Sequence, residues 1–154
     1  MSERKSVSAS LEAEILKTLR DLVPGVPAVG FLETAAAGEM KVQDPTAIQV
    51  KVDNFTQPLE AYEYYQVAAE IRVNVEQAES ADAAIFLLAH ERIALWLEWA
   101  MVGANCAALD TAEAHVDGLQ RTGDSKGFDT TTGEWFVAWT MTLKGRIKKE
   151  NNNG

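Results

Sequence analysis

The stretch Tyr62–Glu76, YEYYQVAAEIRVNVE, constrains the fold of this chain more than any other. From Tyr65 onward one side carries Tyr65, Val67, Ala69, Ile71, Val73 and Val75. The other carries Gln66, Ala68, Glu70, Arg72, Asn74 and Glu76. Strict alternation with β-branched residues on the apolar side predicts a strand with one face on a core and one in water. At about 3.3 Å per residue it spans roughly 36 Å, long enough for several strands and a long helix to align on it.

Its companions follow from the same reasoning. Ala47–Asp53 alternates Ile48, Val50 and Val52 with Gln49, Lys51 and Asp53, so it reads as a strand that pairs antiparallel with the long one. Glu134–Ile147 is a second long strand, with Trp135, Val137, Trp139, Met141, Leu143 and Ile147 on one side. Glu113–Gln120 is a weaker strand and Gly123–Gly133 a polar loop. Before these, Leu11, Ile15, Leu19 and Leu22 recur at helical spacing, with Glu12, Glu14, Lys17, Arg20 and Asp21 elsewhere. Ser8 or Ser10 caps that helix, and Pro24, Gly25 and Pro27 stop it. Ala28–Glu33 is a short strand, and Thr34–Thr46 is a loop with turn signals at Gly38 and Asp44-Pro45.

A second helix starts at Ser80 or Asp82 and runs to about Val102, with Gly103 suited to a left-handed cap. Ile85, Leu88, Leu95, Trp96 and Trp99 make one stripe; Phe86, Ile93, Leu97 and Met101 widen it. So broad an apolar arc implies burial on two sides, against the sheet and against the first helix or another subunit. Ala104–Thr111 is a small-residue connector. The expected architecture is one α+β domain over residues 8–147. It has an antiparallel sheet of about four to five strands with two main helices on one face. Residues 1–7 form a disordered N-terminus and residues 148–154 a mobile charged tail.

Charge and motifs narrow the function. With 23 acidic against 14 basic residues, net −9, the chain lacks the basic surface that a phosphate backbone requires. One cysteine, Cys106, excludes an internal disulfide and a multi-cysteine zinc site. No signal-peptide core or membrane-length apolar run is seen, so the expected site of synthesis is the cytoplasm and no membrane is expected as partner. Gly118–Gly123 has P-loop glycines, but Asp124 stands where the lysine belongs and would repel phosphate. Glu113, His115 and Asp117 alternate on one strand face, a possible metal triad against the plainer reading of an exposed face. His90-Glu91 lacks the second histidine of a zinc helix, since Ala94 holds that position. Cys106 has no nearby histidine and reads as a small buried thiol. Asn54-Phe55-Thr56 matches a glycosylation acceptor that means nothing without a secretion signal. Trp135 and Trp139 would suit base stacking, but they share the face of Val137 and Leu143 and read as core. Phe136, on the otherwise polar face, suggests a protein contact. No catalytic group and no cofactor is expected.

The succession of an N-terminal helix, a strand, the Tyr-rich long strand, the helix ADAAIFLLAHERIALWL, a loop and the closing strand EWFVAWTMTLKGRI resembles one known family. It is similar, over about residues 8–147, to the tail terminator (tail completion) proteins of long-tailed bacteriophages. The resemblance rests on element order and pattern. It implies a non-catalytic virion protein, made in the host bacterial cytoplasm. Such a subunit forms a hexameric ring that caps the tail tube and joins it to the head connector. Partners would be further copies of the chain, the tail tube and the head-connector proteins, with DNA passing through an acidic lumen without specific binding. Candidate interface residues are Phe136, Phe86, Ile93, Leu97 and Met101, with Arg121 and Lys126 in the polar stretch Arg121–Gly133. The alternatives are a small, dimeric ligand-binding or regulatory module working through its sheet face, and a metal enzyme using Glu113, His115 and Asp117.

Overall fold

The computed structural model describes residues 6–38, 48–53, 63–75, 83–130 and 134–148. In chain order it contains helix α1 (Val7–Leu22), strand β1 (Ala28–Gly30), helix α2 (Phe31–Ala36), and strands β2 (Ile48–Val52) and β3 (Tyr64–Val75). Helix α3 (Ala83–Ala100), a 3-10 helix (Asn105–Leu109), and strands β4 (Ala114–Asp129) and β5 (Glu134–Ile147) complete it. The strands form one sheet in the order β1-β2-β3-β5-β4.

The long strand is where its alternation puts it, except that Asn74, expected on the water side, is buried. Tyr65, Val67, Ala69, Ile71 and Val73 are buried, and Tyr64, Gln66 and Ala68 face water. It pairs antiparallel with β2 and with β5, so that Ile71 lies across from Trp139 and Val67 from Leu143. Apolar residues meet on one face in both ladders, which fixes the register, because a slip by one would turn each set into water. β5 pairs with β3 on one side and β4 on the other, all antiparallel. Among the described strands β1 and β2 alone are parallel, since the chain leaves β1 through α2 before it enters β2. The fold is therefore α+β, with a mixed sheet and helices on one face.

Between the helices and that face lies the core. Leu11, Ile15, Leu16 and Leu19 of α1 and Ala89, Ile93, Leu97 and Ala100 of α3 pack onto the apolar sides of β2, β3 and β5. Neither predicted serine caps α1; Ser6 does, its hydroxyl accepting the Ala9 N–H at 3.1 Å. Ser8 and Ser10 lie inside the helix and are buried, donating to the carbonyls of Asp53 (2.6 Å) and Val7 (2.9 Å). Gly103 follows α3 with φ +53°, as its cap position requires.

Three boundaries differ from expectation. The short strand ends at Gly30, because Phe31 opens α2. The predicted loop from Gly123 is strand as far as Asp129: β5 runs alongside and supplies partners from Thr140 back to Glu134. Irregularities between Val116 and Gly118 and between Arg121 and Gly123 absorb the mismatch between the two strands. Lys148, expected in a mobile tail, is fastened instead. Its N–H donates to the Glu113 carbonyl at 2.9 Å and its Nζ to the Thr111 carbonyl at 2.6 Å. Residues 1–5, 149–154 and the Asn54-Phe55-Thr56 triplet lie outside the described residues.

Candidate assembly surface

Several of the polar residues singled out in the sequence make structural contacts. His115 Nδ1 lies 3.2 Å from Asp110 Oδ2, while Asp110 Oδ1 accepts the Val116 N–H at 2.7 Å and so holds the start of β4. Asp117 pairs with Arg146, 3.0 Å from its Nε. His115 and Asp117 of the possible triad are thus aimed at different neighbours. Among the described residues no group of three or more His, Cys, Asp or Glu side chains is placed to hold a metal. Cys106 is buried and donates to the Val116 carbonyl at 3.6 Å; burial pushes its thiol up, away from the reactive thiolate. Gly118 and Gly123 lie within strand β4 rather than in a loop that opens a helix. His90 is half-buried with its ring 5.2 Å from that of Trp139, itself core. Trp139 is no stacking platform, and the side chain of Trp135 lies outside the described set. On the outer sheet face a shallow depression of about 430 Å³ is bordered by Gln66, Gln120, Thr142 and Lys144. Among these, Lys144 carries the one charge, too little to define a ligand.

Helix α3 is different. At 3.6 residues per turn, Ala89, Ile93, Leu97 and Ala100 form the stripe sunk against the sheet. Roughly opposite lie Leu88, Leu95 and Trp99, with Val102 in the turn that follows the helix and Leu87 on the flank beyond Glu91 and Glu98. These five are between 44 and 67% exposed. The helix is apolar on both faces, and this fold covers one. Glu91 and Glu98 run along one edge of the exposed stripe and Arg92 along the other, all in water. Arg92 Nη1 donates to the Leu22 carbonyl at 2.9 Å, tying α3 to the end of α1. Among the described residues no helix is long and apolar enough to cross a membrane, so the stripe is no lipid span.

The candidate interface residues therefore separate. Ile93 and Leu97 are fully buried and belong to this chain's own core; the outward face falls to Leu88, Leu95, Trp99 and Val102 instead. Phe86 lies in α3, with its side chain outside the described set. Met101 is half-buried and receives the Arg121 N–H on its sulfur at 3.3 Å, so Met101 and Arg121 are brought together where the turn after α3 meets β4. Lys126 is exposed on β4 opposite Val137. Phe136 is half-buried on the outer sheet face, under the Arg72 guanidinium at 4.3 Å from the ring centroid. Arg72 Nε in turn donates to Asn74 Oδ1 at 2.8 Å. Arg72 thus gives Phe136 a cover that alternation alone does not reveal. The signal for the exposed stripe was present as an apolar arc too broad for one sheet; which half would be left outside was not. No protein-family model matches this chain, and no match is found among curated proteins.

Proposed function

We propose that this chain is a non-catalytic structural subunit of a phage neck. In that assembly further copies build a ring, hexameric in the form the resemblance implies, that ends the tail tube and joins it to the head connector. The observation that carries the reading is the outward stripe of α3. A contiguous row of large apolar side chains in water marks a protein-contact surface. Covering it removes apolar area worth about 25 cal/mol per Å². Element order supports the neck in particular, since helix, paired strands, long helix and closing hairpin follow in the succession that suggested the family. The net charge of −9 fits a lumen through which DNA slides without sticking. In this reading the protein works as a virion component with the tail tube and head-connector proteins as partners.

The test is genetic and structural. Deleting the gene from the phage genome that encodes it is expected to leave filled heads and unjoined tails. Added back, the purified protein should sediment with those tails and restore joining. Normal infectious particles from the deletion strain would end the neck reading.

A further inference from the structure

We infer that α2 is a latch: a segment that swings off the body of the protein while α1 and the sheet stay folded, with Glu12 of α1 as its catch.

Three observations carry it. The first is burial. None of the six residues of α2 is buried, whereas α1 sinks seven of its sixteen. Phe31, the largest side chain of α2, is 41% exposed. Local stability follows buried apolar contact, and a helix of this length is marginal without it, so α2 sits at the low end of the range of local opening energies. The second is the fastening, which is polar and concentrated on one side chain. Glu12 holds the Leu32 and Glu33 N–H groups, one on each carboxylate oxygen, at 2.9 Å. The other printed ties are weaker or do not hold α2 to the body. Arg20 meets the Glu33 carboxylate at 3.3 Å, but both side chains are about half exposed and such a pair contributes little. A second bond from Arg20, to the Ala28 carbonyl at 2.9 Å, secures β1 rather than α2. Lys51 Nζ lies 6.0 Å from the centroid of the Phe31 ring, at the limit of a cation–π contact. The Thr34 hydroxyl donates to the Gly30 carbonyl at 2.7 Å, inside the first turn of the helix.

The third observation is the chemistry of the catch. Around Glu12 the buried side of α1 is apolar, with Leu11, Ile15, Leu16 and Leu19, yet at this one position it carries a carboxylate that is 1% exposed. A carboxylate and two N–H groups are all well served by water. When α2 leaves, both sides of each bond are hydrated, and what is lost is the net of an exchange of hydrogen bonds rather than the full strength of two. Glycines bound the moving piece: Gly30 precedes it, and Gly38 follows it with φ +84°, a turn that other residues resist. Closed, the latch hides the Glu12 carboxylate; open, it presents that charge beside β1.

Hydrogen exchange of single amides in the full chain, followed by NMR through a series of low denaturant concentrations, tests this. In the wild type the N–H groups of Leu32 and Glu33, held by Glu12, and of Ala37, held by the Glu33 carbonyl, should exchange together. Their rate should hardly respond to denaturant, because a small opening exposes little surface. Amides of β3 and β5 should exchange far more slowly and with the steep denaturant dependence of global unfolding. Glu12→Ala should speed exchange at Ala37 about thirty-fold. Arg20→Ala should change it less than about threefold, and Asp21→Ala, exposed on α1, not at all. The latch is overturned if Leu32 and Glu33 exchange only with the sheet; fast exchange at Ala37 alone would then be fraying of a helix end. An effect of Arg20→Ala as large as that of Glu12→Ala, or no effect of Glu12→Ala, would overturn the catch. Should Glu12→Ala fail to fold, the wild-type denaturant series decides the matter by itself. Either result leaves the neck reading where it stands.

Discussion

At the scale of single residues, Glu12 is the least expected feature. It is 1% exposed on α1, where its two oxygens accept the N–H groups of Leu32 and Glu33 at 2.9 Å each. These are unpaired donors at the start of α2, and a carboxylate supplied from α1 caps them as a side chain of the helix itself would. Gly30 makes room, because a methyl there would collide with the carboxylate. Burial pushes the Glu12 carboxyl above its ordinary 4.5 and the Glu33 charge adds to this, while the two N–H bonds pull it down. A carboxyl that holds its proton more tightly folded than unfolded contributes most stability below pH 4.5 and loses it as pH rises through the folded value. Stability of the wild type relative to Glu12→Gln, which does not titrate, should therefore fall as pH climbs above 4.5, measured by denaturant unfolding across pH. Glu12→Ala should cost about 2 kcal/mol at neutral pH by leaving both donors unpaired. At the outer face, Phe136→Asp should fold, with a melting temperature lower by about 2–4 °C. Arg72 no longer has a ring to cover, but a carboxylate beside its guanidinium offsets part of that, for a net of about 1 kcal/mol.

At the scale of elements, β5 governs the sheet, because among the described strands it alone has long partners on both sides. Its one conspicuous gap, Gly145, lies where Tyr65 crosses to donate its hydroxyl to the His115 carbonyl at 2.7 Å. Burial, with the charges of Asp117 and Asp110, raises the Tyr65 hydroxyl well above its usual value, so it keeps the proton that it donates. A methyl at Gly145 would drive into the His115 carbonyl and crowd the tyrosine oxygen. Gly145→Ala should accordingly cost about 3 kcal/mol, and Tyr65→Phe only about 1, read by thermal unfolding. Both β3 and β5 were legible because alternation over a dozen residues has no competing explanation. β4 was legible only as far as Gln120: beyond it the glycines and polar residues 121–127 carry no period, and only the neighbouring β5 makes them a strand. α3 was legible as a helix but not in its facing. With apolar residues all round, nothing local distinguishes Ile93 and Leu97, which went inside, from Leu95 and Trp99, which did not.

For the whole molecule, charge bears directly on function. A chain at −9 gains no counterion release from a phosphate backbone, so it should show no retardation of duplex DNA at about 0.15 M salt in a mobility-shift assay. Binding that weakens steeply with added salt would contradict the proposed lumen that only lets DNA pass.

The sequence by itself determined the α+β class, the two long strands, the extents of α1 and α3 within a few residues, and the acidic charge. Those follow from local periodicity and residue type, which the chain carries in itself. Tertiary structure alone decided the parallel β1–β2 pair, the burial of Glu12, the cover that Arg72 gives Phe136, and which half of α3 stays in water. Each depends on a partner far away in sequence: Leu32 and Glu33 for Glu12, the strand face for Ile93 and Leu97. A long-range contact has no period to announce it, and the exposed half of α3 became a surface only once the other half had found the sheet.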